Sequence, residues 1–256
     1  MSKNKIAVIT GATGRIGSVF YKELLNLNYD IYILSNNQNT FRNLFKNIPK
    51  NYSKKIYRVK FNLLSNNSIN KAINRIKKKN RKIDCLINCA AASNRGKFYK
   101  YNFKNLNSEF MGVFGASFYL TEKLLPLLRN SKNGKIINVG SLWGVSSPDF
   151  KTYLDLDIGP SAITSTCKAA LMHYTKFLSS RESEYNLSIN NLVPGWFPRK
   201  GKKERKDYIN SINRKIPLKR IGKLKDLETS VRFLLSDETK YFNGQNLIVD
   251  GGYSIF

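Results

Sequence analysis

Histidine, cysteine and acidic side chains are scarce in this chain. A single histidine, His173, excludes a multi-histidine metal centre and argues against a Ser-His-Asp triad. Three cysteines, Cys85, Cys89 and Cys167, are too few and too irregularly spaced for a disulfide framework or a zinc site. No apolar run approaches the roughly 18 residues of a membrane span, and mean hydropathy is −0.39. The opening MSKNKIAVITGATG places charge before a strand-like run and has no small-residue cleavage site, so no signal peptide is expected. The expected setting is cytoplasmic, with no metal and no membrane partner.

Acidic residues number 17 against 44 lysines and arginines, a formal charge of +27. Such an excess ordinarily suggests a nucleic-acid partner. Yet 30 Asn, 23 Ile, 14 Tyr and 15 Phe rise together with lysine, as a coding bias toward A and T would produce. The basic residues are spread along the chain, with dense runs only at 75–82 and 199–206. No aromatic patch is interleaved with them, and no nucleic-acid partner is expected.

Apolar periodicity alternates between two kinds throughout. Continuous apolar runs at 5–10 (KIAVIT), 30–34, 56–61, 83–88, 134–140, 188–193 and 246–249 read as strands, most of them buried on both faces. Between them lie helical patterns, weak at 40–48 and clear at 68–79, 106–128, 161–181 and 225–235. No composition break or Pro/Ser linker interrupts the alternation. The expected fold is α/β: one domain over 1–256, a doubly wound parallel sheet of about seven strands with helices on both faces. Ligands of such sheets lie beyond the carboxyl ends of the strands.

The first strand enters a turn that reads Thr10-Gly11-Ala12-Thr13-Gly14-Arg15-Ile16-Gly17. Gly11 permits the tight turn, Gly14 and Gly17 let backbone and helix come close, and the helix N-terminus offers N–H groups to a pyrophosphate. Four further segments fall just after later strands or at the end: Asn88-Cys89-Ala90-Ala91, Asn138-Val139-Gly140-Ser141, Asn190-Asn191-Leu192-Val193-Pro194-Gly195, and Gly244-Gln245-Asn246-Leu247-Ile248-Val249-Asp250-Gly251-Gly252. In order and spacing the chain resembles the short-chain dehydrogenases/reductases over essentially its whole length. Ser141-Leu142-Trp143-Gly144 and Pro194-Gly195-Trp196-Phe197-Pro198-Arg199 resemble a smaller group within it, the flagellin-modification and surface-sugar oxidoreductases.

The resemblance implies a Rossmann-like NAD(P)-binding domain. Its cofactor positions map onto Gly11, Thr13, Arg15, Ile16, Gly17, Ser35, Asn62, Leu63, Asn88, Ala90, Lys168, Pro194 and Gly195. The second strand ends Leu34-Ser35-Asn36-Asn37, without the carboxylate that would read an NAD ribose, and Arg15 is near enough in sequence to meet a 2′-phosphate. The cofactor expectation is NAD(P), leaning toward NADP. Residues 196–225 correspond to the substrate lid. Six cations of the run 199–206 on that lid would suit an anionic substrate.

Chemistry in this family rests on Ser, Tyr, Lys and usually Asn: the phenol moves the substrate proton, and the lysine lowers its pKa and holds the ribose. Ser141 and Lys168 stand in place, but Thr164 occupies the tyrosine position and Val113 the asparagine position. An aliphatic hydroxyl is a poor acid–base near neutral pH. Tyr153 could compensate, although its fourth following residue is Asp157, and a place in the lining of the substrate pocket is the simpler reading. Two functions stay open: an oxidoreductase on a carbonyl or alcohol of a sugar or nucleotide-sugar-like substrate with an altered proton path, or a catalytically inactive dinucleotide-binding partner subunit. Helix stripes Phe114, Phe118, Leu125 and Leu171, Tyr174, Leu178 predict a homodimer or homotetramer.

Overall fold

In the computed structural model, which describes residues 4–46, 48–93, 101–153, 159–197 and 206–255, seven strands form one parallel sheet. They are β1 (Ile6–Thr10), β2 (Asp30–Ser35), β3 (Ile56–Lys60), β4 (Cys85–Asn88), β5 (Gly134–Val139), β6 (Leu187–Pro194) and β7 (Asn246–Val249). Their order is β3-β2-β1-β4-β5-β6-β7. Direction of winding reverses between β1 and β4, and register there pairs Thr10 with Asn88, so both strands end at one level. A crevice opens beyond such a reversal point.

Alternation along the strands sorts side chains to two cores. Ala7, Ile9, Ile31, Ile33, Ile87 and Ile137 face α1 (Arg15–Asn26) and the later α8 (Glu228–Leu235), meeting Phe20, Leu24, Val231 and Leu234. Val8, Leu86, Ile136 and Ile189 face α3 (Asn66–Lys79), α5 (Ala116–Arg129) and α6 (Ala162–Arg181). Ile69, Ala72, Ile73 and Ile76 of α3 are buried there, as their helical spacing predicts. Fully burying one such side chain stabilises by about 1.5–3 kcal/mol, so both faces of the sheet are held firmly.

Capping side chains displace several helix starts from their predicted places. Asn37 Oδ1 accepts from Asn39 N and Thr40 N, which begins α2 (Gln38–Lys46) two residues early. The segment predicted as one helix over 106–128 is two: α4 (Phe103–Phe110), capped by Asn102, and α5, joined by a π-helical turn at Met111–Gly115. A helix the sequence reading lacked, α7 (Lys206–Lys215), lies within the segment 196–225. The predicted association stripes need correction. Leu125, Leu171 and Leu178 are at most 2% exposed and belong to the core, whereas Phe110, Phe118 and Phe177 are exposed. Among the described residues no helix is long and apolar enough to cross a membrane, and no group of three or more metal-ligating side chains gathers.

Candidate active site

Thr10 staples the two strands that flank the reversal. Its Oγ1 accepts from Cys89 N and Ala90 N, both at 3.1 Å, joining the end of β1 to the end of β4. Gly11 follows with φ +73°, a conformation an L side chain rarely adopts, and a Cβ there would lie 2.7 Å from Ala90 N. Gly17, one turn into α1, packs on the same backbone: its Cβ would come 2.1 Å from Gly11 O. The N-cap Gly14 supplies no side-chain cap, and among the described residues Ile16 N and Gly17 N find no acceptor. Exposed Thr13 sits beside these free amides. A pyrophosphate fits such a place, because the free amides and the helix dipole both favour an anion.

Around the end of β2, Ser35 Oγ donates to Asn37 O, and Asn62 Oδ1 accepts from Leu64 N at 3.0 Å. Those bonds leave the Asn62 amide group free to face a base, with Leu63 packed on the core behind it. Arg15 is drawn to the segment after β6. Its Nη1 donates to Phe197 O at 2.6 Å, tying the Gly-rich turn to the segment after β6. A cation that reaches the end of β2 is Arg58, whose Nη2 lies 3.5 Å from Asn36 O and whose buried Nε has no partner among the described residues. Nothing in the sequence spacing marked it.

Beyond β1, the sheet carries a buried polar ladder. Asn88 Nδ2 donates to Thr121 Oγ1 and Asn138 Oδ1, Asn138 Nδ2 to Thr175 Oγ1, and Asn191 Nδ2 to Asn246 Oδ1, while Thr175 Oγ1 meets Asn191 Oδ1 at 2.9 Å. Asn88 Oδ1 alone among these groups is buried without a partner. The ladder locks β4, β5, β6 and β7 to α5 and α6, which carry or flank the reactive groups. At the far end Gly195 N donates to Val249 O, closing Pro194 and Gly195 against β7.

Ser141 closes β5 and accepts from Trp143 N through Oγ at 3.2 Å. Ser161 caps α6 by accepting from Thr164 N, which fixes the register of Thr164 and Lys168 one turn apart. Lys168 Nζ donates to Val139 O at 2.5 Å. Burial pushes its pKa down to about 8, and Cys89 and Cys167 only partly oppose that. Burial likewise raises the Cys89 thiol to about 11, so it is no nucleophile.

Thr164 turns toward α4, where its hydroxyl donates to Glu109 Oε1. Glu109 is 2% exposed and was absent from the sequence reading. Its signal was present: residues 109, 113, 116, 120 and 124 form one buried helical stripe, and 109 is its only acid. Val113 packs in an apolar cluster with Ile163 and Cys167, so the asparagine position carries no polar group. Tyr153 is buried in another cluster, its ring stacked on Trp196 at 6.5 Å and tilted on Tyr208 at 6.0 Å.

A family model described as enoyl-(acyl carrier protein) reductase matches residues 11–254. The chain belongs to that family of short-chain dehydrogenases/reductases and is an NAD(P)-dependent oxidoreductase of its type. It is 26% identical over 260 residues to post-translational flagellin modification protein A of Campylobacter coli, with all of both chains covered. To D-arabinitol 2-dehydrogenase [ribulose-forming] of Candida tropicalis it is 32% identical over 178 residues, 66% of this chain and 59% of that protein. A short-chain dehydrogenase of Leptospira borgpetersenii with bound NAD+ superposes with TM-score 0.84 at 27% identity, covering 98% of this chain and 93% of that one.

Proposed function

We propose that this oxidoreductase interconverts an alcohol and a carbonyl on a sugar or nucleotide-sugar-like substrate, along a proton path without the usual tyrosine. The observation that carries the reading is an aromatic cluster beside Ser141. Trp143 meets Trp196 at 5.5 Å and Tyr253 at 5.9 Å, and Trp196 meets Tyr208 at 6.0 Å, with Tyr153 completing the group. Trp196 Nε1 is buried with no partner among the described residues. A sugar ring offers C–H faces to aromatic rings and hydroxyl oxygens to an indole N–H. Two similar proteins support the same class. One is the D-arabinitol dehydrogenase above; the other is an L-sorbose reductase from Gluconobacter frateurii, solved with NADPH and L-sorbose, whose fold matches with TM-score 0.85 at 20% identity.

The segment 196–225 is the substrate lid of this reading, and its described residues Trp196 and Tyr208 belong to the cluster. Lys215 of α7 pairs with Asp149 in the loop after β5, and Arg15 holds the lid's root through Phe197. Of the basic run assigned to an anionic substrate, 199–205 lies outside the described residues, so that feature rests on the sequence. Ser141 orients the substrate oxygen, and Lys168, Asn88, Ala90, Pro194 and Gly195 border the place of the nicotinamide half. Arg58 supports the lean toward NADP. Exposed Phe110, Phe118 and Phe177 support association into a homodimer or homotetramer, and Phe177→Glu should shift the light-scattering mass toward the monomer.

The decisive experiment titrates NAD(H) and NADP(H), then follows nicotinamide absorbance with polyols, ketoses and nucleotide sugars. Turnover confined to simple steroid or acyl ketones would overturn the sugar reading.

A further inference from the structure

We propose that Glu109 is the proton-holding residue that replaces the family's tyrosine, working through the Thr164 hydroxyl. The inference rests on the alcohol–carbonyl reading above. Glu109 lies on α4 with 2% exposure, and its one hydrogen-bond partner among the described residues is Thr164 Oγ1. An acid held by a single hydroxyl is out of keeping with the apolar stripe it shares with Val113, Ala116, Leu120 and Leu124. Such local inconsistency in an otherwise consistent core marks a functional position.

The surroundings agree. Two residues after Glu109 the chain enters the π-helical turn Met111–Gly115, and Val113 in that turn joins Ile163 and Cys167 in an apolar plug. Isolated π turns are frequent at functional sites. Cys167, whose thiol is raised by burial and then by the Glu109 charge, is the titratable group that faces the carboxylate from α6. Lys168 is committed elsewhere, to Val139 O on β5. The lysine and the residue expected at the tyrosine position therefore have separate partners: Lys168 holds to β5 and Thr164 to α4.

The proton balance follows from those contacts. In alcohol oxidation the substrate hydroxyl gives its proton to Thr164 Oγ1 as Thr164 gives its own to Glu109. The substrate C–H bond breaks with its electron pair leaving as hydride to the dinucleotide of the family's reaction. A C=O bond replaces the O–H and C–H bonds, Thr164 ends as it began, and Glu109 ends protonated. Reduction runs the same transfers backward. Glu109 touches Thr164 rather than the substrate, so it is a positioning and proton-holding residue.

Glu109→Gln keeps the shape and can still accept from Thr164, but it holds no exchangeable carboxyl proton. With saturating substrate, kcat should fall by about 10²-fold or more, while KM and dinucleotide Kd stay within about twofold. Without dinucleotide, Tm of the variant should stay within about 2 °C of the parent's, because glutamine keeps the shape and the bond from Thr164. Thr164→Val should fall as far, Thr164→Ser should recover most of the rate, and the Glu109→Gln/Thr164→Val pair should be no worse than either single change. Unchanged kcat in Glu109→Gln overturns the relay alone. A fall in Tm of more than about 2 °C, or failure to fold, marks Glu109 as structural support and overturns it too. A parent that binds dinucleotide yet turns over nothing overturns the relay together with the sugar-oxidoreductase reading.

Discussion

The two ends of the crevice have kept different things. At the β1–α1 end, recognition runs through backbone: Gly11 and Gly17 interlock, Thr10 holds two amides of the β4 loop, and free helix amides face outward. At the β5–α6 end, the proposed function runs through side chains, and there the sequence reading puts Thr164 and Val113 at the family's tyrosine and asparagine positions. Backbone recognition tolerates little drift, because any Cβ collides. Side-chain chemistry can be reassigned by one neighbouring helix, provided the scaffold stays rigid. The polar ladder from Asn88 to Asn246 supplies that rigidity under the reassigned half.

The sharpest break in this comparison is Gly17→Val. A Cβ placed 2.1 Å from Gly11 O cannot be relieved by a side-chain movement, since the obstacle is backbone. Dinucleotide binding should fall by more than about 10²-fold, with far-UV circular dichroism reporting how much of the fold survives. Affinity equal to the parent's in a folded variant would mean that the turn does not carry the pyrophosphate.

The reassigned half is tested by restoring the phenol. Thr164→Tyr alone should lower turnover, because the ring must displace Glu109 or share its pocket, where a carboxylate raises a phenol's pKa. Thr164→Tyr with Glu109→Ala gives the ring room one turn from Lys168, and should exceed Thr164→Tyr by about 10²-fold. Equal rates for the two variants would place the limiting proton step elsewhere. Tyr153→Phe serves as the control: it keeps the ring that packs among Trp196 and Tyr208, and should lower turnover far less than Thr164→Val.

How legible each half was in the sequence follows from the same contrast. Strand runs, the Gly-rich turn and the positions of Ser141 and Lys168 were readable because they repeat at fixed chain spacing. The start of α2 and the break between α4 and α5 were not, since a cap by Asn37 and a π-helical turn leave the apolar period almost unchanged. Arg15 was misdirected for a related reason. Chain proximity to β2 said nothing about Phe197, 182 residues away, whose carbonyl holds the guanidinium. Glu109 was missed because the count ran from the absent asparagine rather than along the buried stripe that contains an acid.

Lys168 offers a test that needs no substrate. Its pKa, 10.5 in an ordinary setting, is held at about 8 by burial. Below about pH 8 the folded chain therefore carries a poorly solvated ammonium. Between that point and about 10.5 the unfolded chain binds more protons than the folded one, so stability contributed by this group rises with pH. Lys168→Met should stabilise by about 2–3 kcal/mol at pH 7, allowing for the lost bond to Val139 O. The gain should vanish and slightly reverse near pH 10.5. Urea titrations across that range check it, and a gain independent of pH would remove the buried charge as its cause.

The smallest effect expected concerns the choice of dinucleotide, and it tests whether the backbone-reading half also uses one side chain. β2 ends in Ser35 and Asn36 with no carboxylate, so nothing there repels a 2′-phosphate. Arg15 is bound to Phe197 O, which leaves Arg58 as the described cation that reaches Asn36 O. Its buried Nε lacks a partner among the described residues, and its guanidinium carbon lies 5.8 Å from the centre of the Phe41 ring, a face that holds the plane in place. A held guanidinium with an unused donor suits a phosphate better than a hydroxyl, because charge-assisted bonds are roughly twice as strong as neutral ones. Arg58→Gln keeps a donor and removes the charge. NADP(H) affinity should then fall by about tenfold, the equivalent of about 1.4 kcal/mol, while NAD(H) affinity stays unchanged. Raising ionic strength should narrow the parent's preference but not the variant's, since only the parent reads charge. Equal losses for both dinucleotides would mean that Arg58 supports the end of β2 through Asn36 and Phe41 without reading the phosphate.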